Sequence, residues 1–264
     1  ALKALGVKII NKNNVYYVIG VGLNGFSTPN KYIDCGNSGT LARILLGAIG
    51  GSKIFATFSG DTSLSSRPMD RVIKPLKKMG IYFDSINNKL PLIIKGSSDI
   101  LPIKYTSPIS SAQVKTTILL AGLNARGTTE IIEPYSSRNH SENLLKYYGA
   151  DIKYNTKKLG KNVISITGGV TLKSRNLTVP GDISSAAFAL VAATIIPGSS
   201  IKVLNVGINY FRSGILDALN LMGARITLEN KVINNYEEPV ANIIVKYSKL
   251  KGVNLDSSFS ARMI

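Results

Sequence analysis

The chain is predicted to take a mixed α/β fold built from repeated βαβ-type units, and three features of its 264 residues carry that expectation. Apolar helical stretches that end in glycine and lead into a strand recur along the chain. A second set of helices, apolar on nearly every side, alternates with the first. Each member of that second set opens with a cluster of small hydroxyl or amide residues.

The first series reads LKALGVKII, IKPLKKMGIYF, LLKYYGADIKY and LDALNLMGARITL. Its glycines, Gly6, Gly80, Gly149 and Gly223, stand 74, 69 and 74 residues apart. Glycine suits the position because helices commonly end on one residue with left-handed backbone. The second series is LARILLGAIGGSKIF, VKTTILLAGLNARGTTEI and FALVAATIIPGSSIKV. Apolar residues all round a helix predict that it is buried; each of these then passes through a glycine-containing turn into a strand. The third series opens the buried helices: Asn37-Ser38-Gly39-Thr40, Ser110-Ser111-Ala112-Gln113, Ser184-Ser185-Ala186 and Ser258-Phe259-Ser260-Ala261. Strand-like LPLIIKG, VISITGG and ANIIVKY separate the units. One unit thus reads helix, strand, helix, strand, strand over about 70 residues. In this register Ala1 falls within a helix ending near Gly6, and Ile264 only a few residues into another. The chain is therefore expected to be cut through an element at both ends, which natural domain boundaries avoid.

Composition narrows the function classes. An apolar content of 44% suits a soluble globular core, and no apolar run reaches the length of a membrane span. Lys8, Asn11, Lys12, Asn13 and Asn14 break up the start of the chain, against a signal peptide. The single Cys35 excludes an intrachain disulfide framework and fits a cytoplasmic setting. A formal net charge of +17 raises nucleic acid as a partner. The basic residues are mostly lysines scattered singly, with short pairs such as Lys77-Lys78 and Lys157-Lys158, and no arginine stripe interleaved with aromatics. Small anionic substrates and a solvated surface explain that pattern better.

Gly20-Val21-Gly22-Leu23-Asn24-Gly25 matches the spacing of a dinucleotide fingerprint, but Phe26-Ser27-Thr28-Pro29-Asn30 follows instead of a helix, so a turn is expected. Asn37-Ser38-Gly39-Thr40-Leu41-Ala42-Arg43 carries more. Asn, Ser and Thr cap helices, Gly39 lets a ligand approach the backbone, and Arg43 lies one turn on from Gly39 and Thr40. Free N–H groups, a helix dipole and a guanidinium would converge there on an anion. In Gly60-Asp61-Thr62-Ser63-Leu64-Ser65-Ser66-Arg67-Pro68-Met69, the proline is expected in a first helical turn, with Arg67 at that helix's N-terminal mouth. Ser111 and Gln113 bring hydroxyl and amide groups to the next buried helix. In Tyr135-Ser136-Ser137-Arg138-Asn139-His140-Ser141-Glu142, Asn139 and Glu142 are expected to cap reciprocally, with Arg138 just outside and His140 an exposed polar residue. Cys35 is expected to be a buried structural thiol. No Walker loop, zinc-ligand cluster, Ser-His-Asp set or H-E-x-x-H is present.

DCGNSGTLAR, GDTSLSSRPMDRVIKPLKKMG, SAQVKTTILLAGLN, IIEPYSSRNHSE and VPGDISSAAFALVAA, in this order and spacing, resemble the EPSP synthase (3-phosphoshikimate 1-carboxyvinyltransferase) family from about Ile33 onward. The resemblance implies βαβαββ units in an enolpyruvyl transferase-like, two-domain inside-out barrel, here incomplete. Residues 1–178 would form most of the substrate-binding domain and 179–264 part of the second. It implies transfer of the enolpyruvyl group of phosphoenolpyruvate to shikimate 3-phosphate, by a monomer, without metal or organic cofactor. Gly39, Arg67 and Gln113 would contact phosphoenolpyruvate. Ser111, Ala112, Gln113 and Arg138 would hold shikimate 3-phosphate, with Asn37, Thr40 and Arg43 in support. A Gly39 without a side chain implies that an intact version is glyphosate-sensitive.

Departures from the family pattern matter as well. The K-S-x-S-x-R loop would precede Ala1, the catalytic aspartate would follow Ile264, and a Lys-Glu-x-x-x-Arg motif would lie beyond. No catalytic residue is therefore expected within the chain, and little activity of the polypeptide alone. The UDP-N-acetylglucosamine enolpyruvyl transferases are the alternative within the superfamily, but their loop cysteine is missing from GDTSLSSRPMD. A non-catalytic remnant, or half of a split enzyme, is the other alternative.

Overall fold

All four periodic glycines adopt left-handed backbone, with φ of 92° at Gly6, 91° at Gly80, 92° at Gly149 and 90° at Gly223. The computed structural model describes residues 1–156, 162–256, 259, 262 and 263. A short 3-10 helix at Leu2–Leu5, ended by Gly6 as expected, runs into the antiparallel hairpin β1 (Lys8–Lys12) and β2 (Val15–Ile19). Next come β3 (Ile33–Asp34), α1 (Gly39–Gly50), β4 (Phe55–Ser59), α2 (Thr62–Ser66), α3 (Asp70–Lys78), β5 (Tyr82–Ser85) and β6 (Leu92–Lys95). The pattern returns as β7 (Lys104–Thr106), α4 (Ala112–Gly122), β8 (Thr128–Glu133), α5 (His140–Tyr147), β9 (Asp151–Thr156) and β10 (Asn162–Thr167). It returns again as α6 (Ile183–Ile195), β11 (Ser200–Gly207), α7 (Gly214–Leu221), β12 (Arg225–Ile233) and β13 (Pro239–Lys246).

The sheets repeat the same topology. One has the order β3-β4-β6-β5 and another β7-β8-β10-β9, the first pair parallel and the other two antiparallel in both. The third has the order β11-β13-β12, and a single parallel bridge from Gly181 to Val206 supplies the start of the missing edge strand. Among the described residues the βαβαββ unit thus occurs twice in full, and a third time with its first strand reduced to that bridge. The helix start expected at Ser258-Phe259-Ser260-Ala261 lies, Phe259 apart, outside the described residues.

Contacts divide the chain into a first unit, Ala1–Ser136 with Gly149–Lys173, and a second, Ser137–Tyr148 with Ser174–Ile264. Helix α5 therefore belongs by its contacts to the second unit.

In the first unit the buried helices α1 and α4 pack on each other. Leu45, Leu46 and Ile49 of α1 and Ile118, Leu119 and Ala121 of α4 are buried. Gly47 permits the close approach, because a Cβ there would stand 2.1 Å from the carbonyl oxygen of Thr117. The all-round burial expected of this helix series fails for α6. It packs on β11 and β13, and buries Ile183, Leu190, Ala193 and Thr194. Phe188 remains 83% exposed. An apolar helix surface is buried only where a second layer covers it, and α1 and α4 supply that layer to each other. Among the described residues no helix is long and apolar enough to cross a membrane.

Local capping accounts for the helix starts. Ser38 accepts from the Leu41 N–H, Ser111 from the Val114 N–H and Asp182 from the Ser185 N–H, at 3.1, 3.5 and 3.0 Å. The third helix opens two residues before the expected Ser184, since the carboxylate of Asp182 takes both the N–H and the hydroxyl of Ser185. Burial alone would raise the Asp182 carboxyl; the Ser185 bonds and the guanidinium of Arg212 outweigh it and hold the pKa at about 2.

Two outcomes are expected. Gly47→Ala forces α1 and α4 apart and should cost about 1–3 kcal/mol in denaturant unfolding. Asp182→Asn keeps a side chain able to cap α6 but loses the charged bond to Arg212, and should lower stability at neutral pH by about 0.5–1 kcal/mol. That difference is fully present above the unfolded carboxyl value of 3.8 and shrinks as the pH falls through about 2. Unfolding of both proteins across that range would measure it.

Candidate anion-binding site

The starts of α1 and α4 bring one set of polar side chains together in the first unit. Gln113, the second residue of α4, donates from Nε2 to Thr40 Oγ1 at 2.8 Å. Its Oε1 accepts from Arg43 Nη1 at 3.2 Å. Arg43 also reaches the carbonyls of Gly39, at 3.5 Å, and Pro68, at 3.3 Å. Thr117 Oγ1 lies 3.1 Å from the carbonyl oxygen of Arg43 and 2.8 Å from that of Gln113, which fastens the backbones below the side chains. A Cβ at Gly39 would fall 2.7 Å from Arg43 Nη1, so a side chain there would displace the guanidinium.

The guanidinium of Arg43 is held by carbonyl and amide oxygens that leave its charge in place. Burial first, then the neighbouring guanidiniums of Arg67 and Arg71, lower the Arg43 pKa from its ordinary value. An anion entering this cluster relieves that repulsion. Arg71, four residues after Arg67, was not among the residues singled out from the sequence; its helical spacing is the signal that could have found it.

Arg67 is not at the mouth of a proline-started helix. Asp61 caps a separate short helix, α2, through the Leu64 N–H at 2.7 Å. Arg67 ends that helix with extended backbone, φ −81° and ψ 134°. A residue before proline is driven out of the helical region, which ends α2 at Arg67; α3 begins later, with Met69 as its N-cap and Pro68 outside it. Arg67 Nη2 contacts Ser63 Oγ at 3.2 Å and Asn37 Oδ1 at 3.5 Å. Asn37 in turn donates to Asp61 Oδ2 at 2.7 Å. Asp61 is thus a second residue missed from sequence, although an aspartate three positions before a leucine marks a short helix start. The Leu64 N–H, then the Asn37 amide, hold its carboxyl below the usual carboxylate range.

Thr40, Arg43 and Gln113 form one set of side-chain bonds and Asn37, Asp61 and Arg67 another, joined through the Gly39 N–H, which donates to the Asn37 carbonyl; Ser111 and Ala112 stand at the start of the same helix as Gln113. Two cavities flank them. One of about 490 Å³ has Asp34 and Asp61 as its charged walls, which repel an anion. A smaller one, about 130 Å³, is lined by Ser111 with Arg71 and Lys74, and by the carboxylate residue Asp70.

Arg138 lies in the second unit, one residue before the Asn139 N-cap of α5. Burial first, then Arg212, lower its pKa, while Asp182 opposes. The expected Asn139–Glu142 capping pair does not form: Asn139 makes no side-chain cap bond, and its Oδ1 accepts from Asn209 at 2.9 Å. His140 is half-buried instead of exposed, with Nε2 3.1 Å from Glu238 Oε1. Cys35 is buried as expected, and burial together with Asp34 pushes its thiol up to about 11. The glycine-rich stretch at 20–25 is a turn, closed by a bond from the Gly25 N–H to Gly22 O. Among the described residues no group of three or more His, Cys, Asp and Glu is placed to hold a metal.

The model of the EPSP synthase (3-phosphoshikimate 1-carboxyvinyltransferase) family matches residues 1–263. The chain belongs to the EPSP synthase family. It is 44% identical over 257 residues to the 3-phosphoshikimate 1-carboxyvinyltransferase of Coxiella burnetii (strain CbuG_Q212), covering 97% of this chain and 57% of that protein. With its namesake from Geotalea daltonii it shares 45% over 266 residues, 100% of this chain and 60% of the relative. An EPSP synthase structure from Acinetobacter baumannii superposes with a TM-score of 0.84 at 40% identity, over 99% of this chain and 58% of that one. The chain thus spans less than two thirds of the length of these relatives, and its repeated mixed α/β units are those of the enolpyruvyl transferase fold.

Asn37→Ala should move the Asp61 carboxyl back toward its ordinary pKa, part of the way only because Leu64 still donates. A carboxyl-carbon NMR titration of Asp61 would follow it.

Proposed function

We propose that the chain carries part of the substrate-holding surface of a 3-phosphoshikimate 1-carboxyvinyltransferase. The reaction joins the enolpyruvyl group of phosphoenolpyruvate to shikimate 3-phosphate and releases phosphate. The observation that carries the reading is the cluster at the starts of α1 and α4, where Gln113 bridges Thr40 and Arg43 beside Gly39 and the charge of Arg67 is felt by Arg43. Family membership supports reading the anion as a specific one. Gly39, Arg67 and Gln113 take phosphoenolpyruvate; Ser111, Ala112, Gln113 and Arg138 take shikimate 3-phosphate; Asn37, Thr40 and Arg43 hold the first loop.

Their contribution is electrostatic. Guanidiniums and helix-start N–H groups, fixed before substrate arrives, stabilise charge that develops on the carboxylate and phosphate oxygens. Arg67 suits a planar carboxylate because two of its N–H groups can donate in parallel. Since the chain spans 57–60% of its relatives' length, the polypeptide by itself is assigned binding with little or no turnover.

Calorimetry of the whole chain with shikimate 3-phosphate tests the reading. Binding is expected, and Arg138→Ala should weaken it by roughly tenfold to a hundredfold, the worth of a charged hydrogen bond. Equal affinity for random duplex DNA, falling steeply with salt, would instead assign the positive charge to nucleic acid. Turnover of both substrates by the chain alone would overturn the assignment of binding without catalysis.

A further inference from the structure

Lys115 and Glu133 form an ion pair at the centre of the first unit, with Nζ 3.1 Å from Oε2 and the side chains 2% and 1% exposed. Lys115 is the fourth residue of α4, two positions after Gln113, and its N–H donates to the carbonyl of Ser111. Glu133 is the last residue of β8. Just beyond it, Tyr135 and Ser110 exchange two bonds: Ser110 Oγ donates to Tyr135 O at 2.6 Å and accepts from Tyr135 N at 3.0 Å. The loop into α4 and the end of β8 are thus joined by polar contacts on both sides of the cap residue Ser111.

Stability does not account for a buried pair of this kind. Removing two charges from water offsets their attraction, and well-packed apolar residues of similar volume commonly hold two elements together as firmly. What apolar contact lacks is direction. An ammonium held to a carboxylate fixes both the depth of α4 against β8 and its rotation about its own axis. Gln113 needs that rotation, because its amide must meet Thr40 with one end and Arg43 with the other.

We propose that Lys115 and Glu133 are a positioning pair that sets the rotation of α4, so that Ser111, Ala112 and Gln113 face the anionic substrate. The substrate half of this statement rests on the function proposed above; the rotation half does not. Two double variants of the whole chain separate direction from packing. Lys115→Met with Glu133→Leu keeps volume and loses direction. Lys115→Gln with Glu133→Gln keeps a directional hydrogen bond without charge.

The Met/Leu protein should melt at or above the parent temperature, yet lose the hydrogen-exchange protection of the Gln113 side-chain amide. Its affinity for shikimate 3-phosphate should fall about tenfold, as expected of a misplaced contact. The Gln/Gln protein should keep both the Gln113 signal and the affinity. An unchanged Gln113 amide in a folded Met/Leu protein overturns the proposal. Failure of the Met/Leu protein to fold also overturns it, since the pair would then serve stability. If Gln113 responds as expected but the parent chain does not bind shikimate 3-phosphate, the substrate reading fails and the positioning role stands.

Discussion

The close approach of α1 and α4 is the constraint on which the candidate anion-binding cluster depends. Gly47 lies against the Thr117 carbonyl, with no room for a Cβ between them. At that spacing a glutamine on one helix start reaches a threonine and an arginine on the other. A wider spacing would leave Gln113, Thr40 and Arg43 to water, and their amide and guanidinium groups would lose the fixed geometry that makes them useful. The apolar bodies of the two helices hold their polar ends in register. Burial of Leu45, Leu46, Ile118 and Leu119 therefore supports function directly: each fully buried aliphatic side chain contributes about 1.5–3 kcal/mol.

That apolar packing also bears the cost of crowding positive charge. Arg43, Arg67 and Arg71 repel one another, and the oxygens that hold Arg43 come from carbonyls and an amide. The second unit treats a guanidinium differently. There Arg212 is paired with Asp182, which also caps α6. A charge that already has a carboxylate partner contributes to stability and little to recognition; a charge held by neutral acceptors keeps its field for a ligand. Asp61 follows a third pattern. Its carboxylate is occupied by the Leu64 N–H and the Asn37 amide, and through Asn37 it orients a side chain that touches Arg67.

Repetition explains how the chain came to be readable in some places and not in others. The left-handed glycines Gly6, Gly80, Gly149 and Gly223 recur because each ends a helix, a requirement satisfied within a few residues. Ser38 and Ser111 cap the helices they precede for the same local reason. The return of one strand order in two four-stranded sheets, and of its last three strands in a third, follows from the return of those local signals. Where the repeat was read too literally it failed. The third buried helix was expected to open at Ser184, but Asp182 offered a stronger acceptor. It was also expected to be buried all round, yet α6 leaves Phe188 exposed.

The amino-acid order by itself determined the repeat, the left-handed glycines that end its helices and the fate of the glycine-rich turn, because each of these is settled by neighbours within one or two turns. Only the tertiary structure decided which side chains meet. It placed Arg67 at the end of α2, turned Asn139 toward Asn209 and His140 toward Glu238, and brought Arg71 near Arg43. It also paired Lys115 with Glu133 behind the cluster. Partners 18 to 98 residues apart in the chain are chosen by packing, and packing leaves no periodic mark in a single sequence.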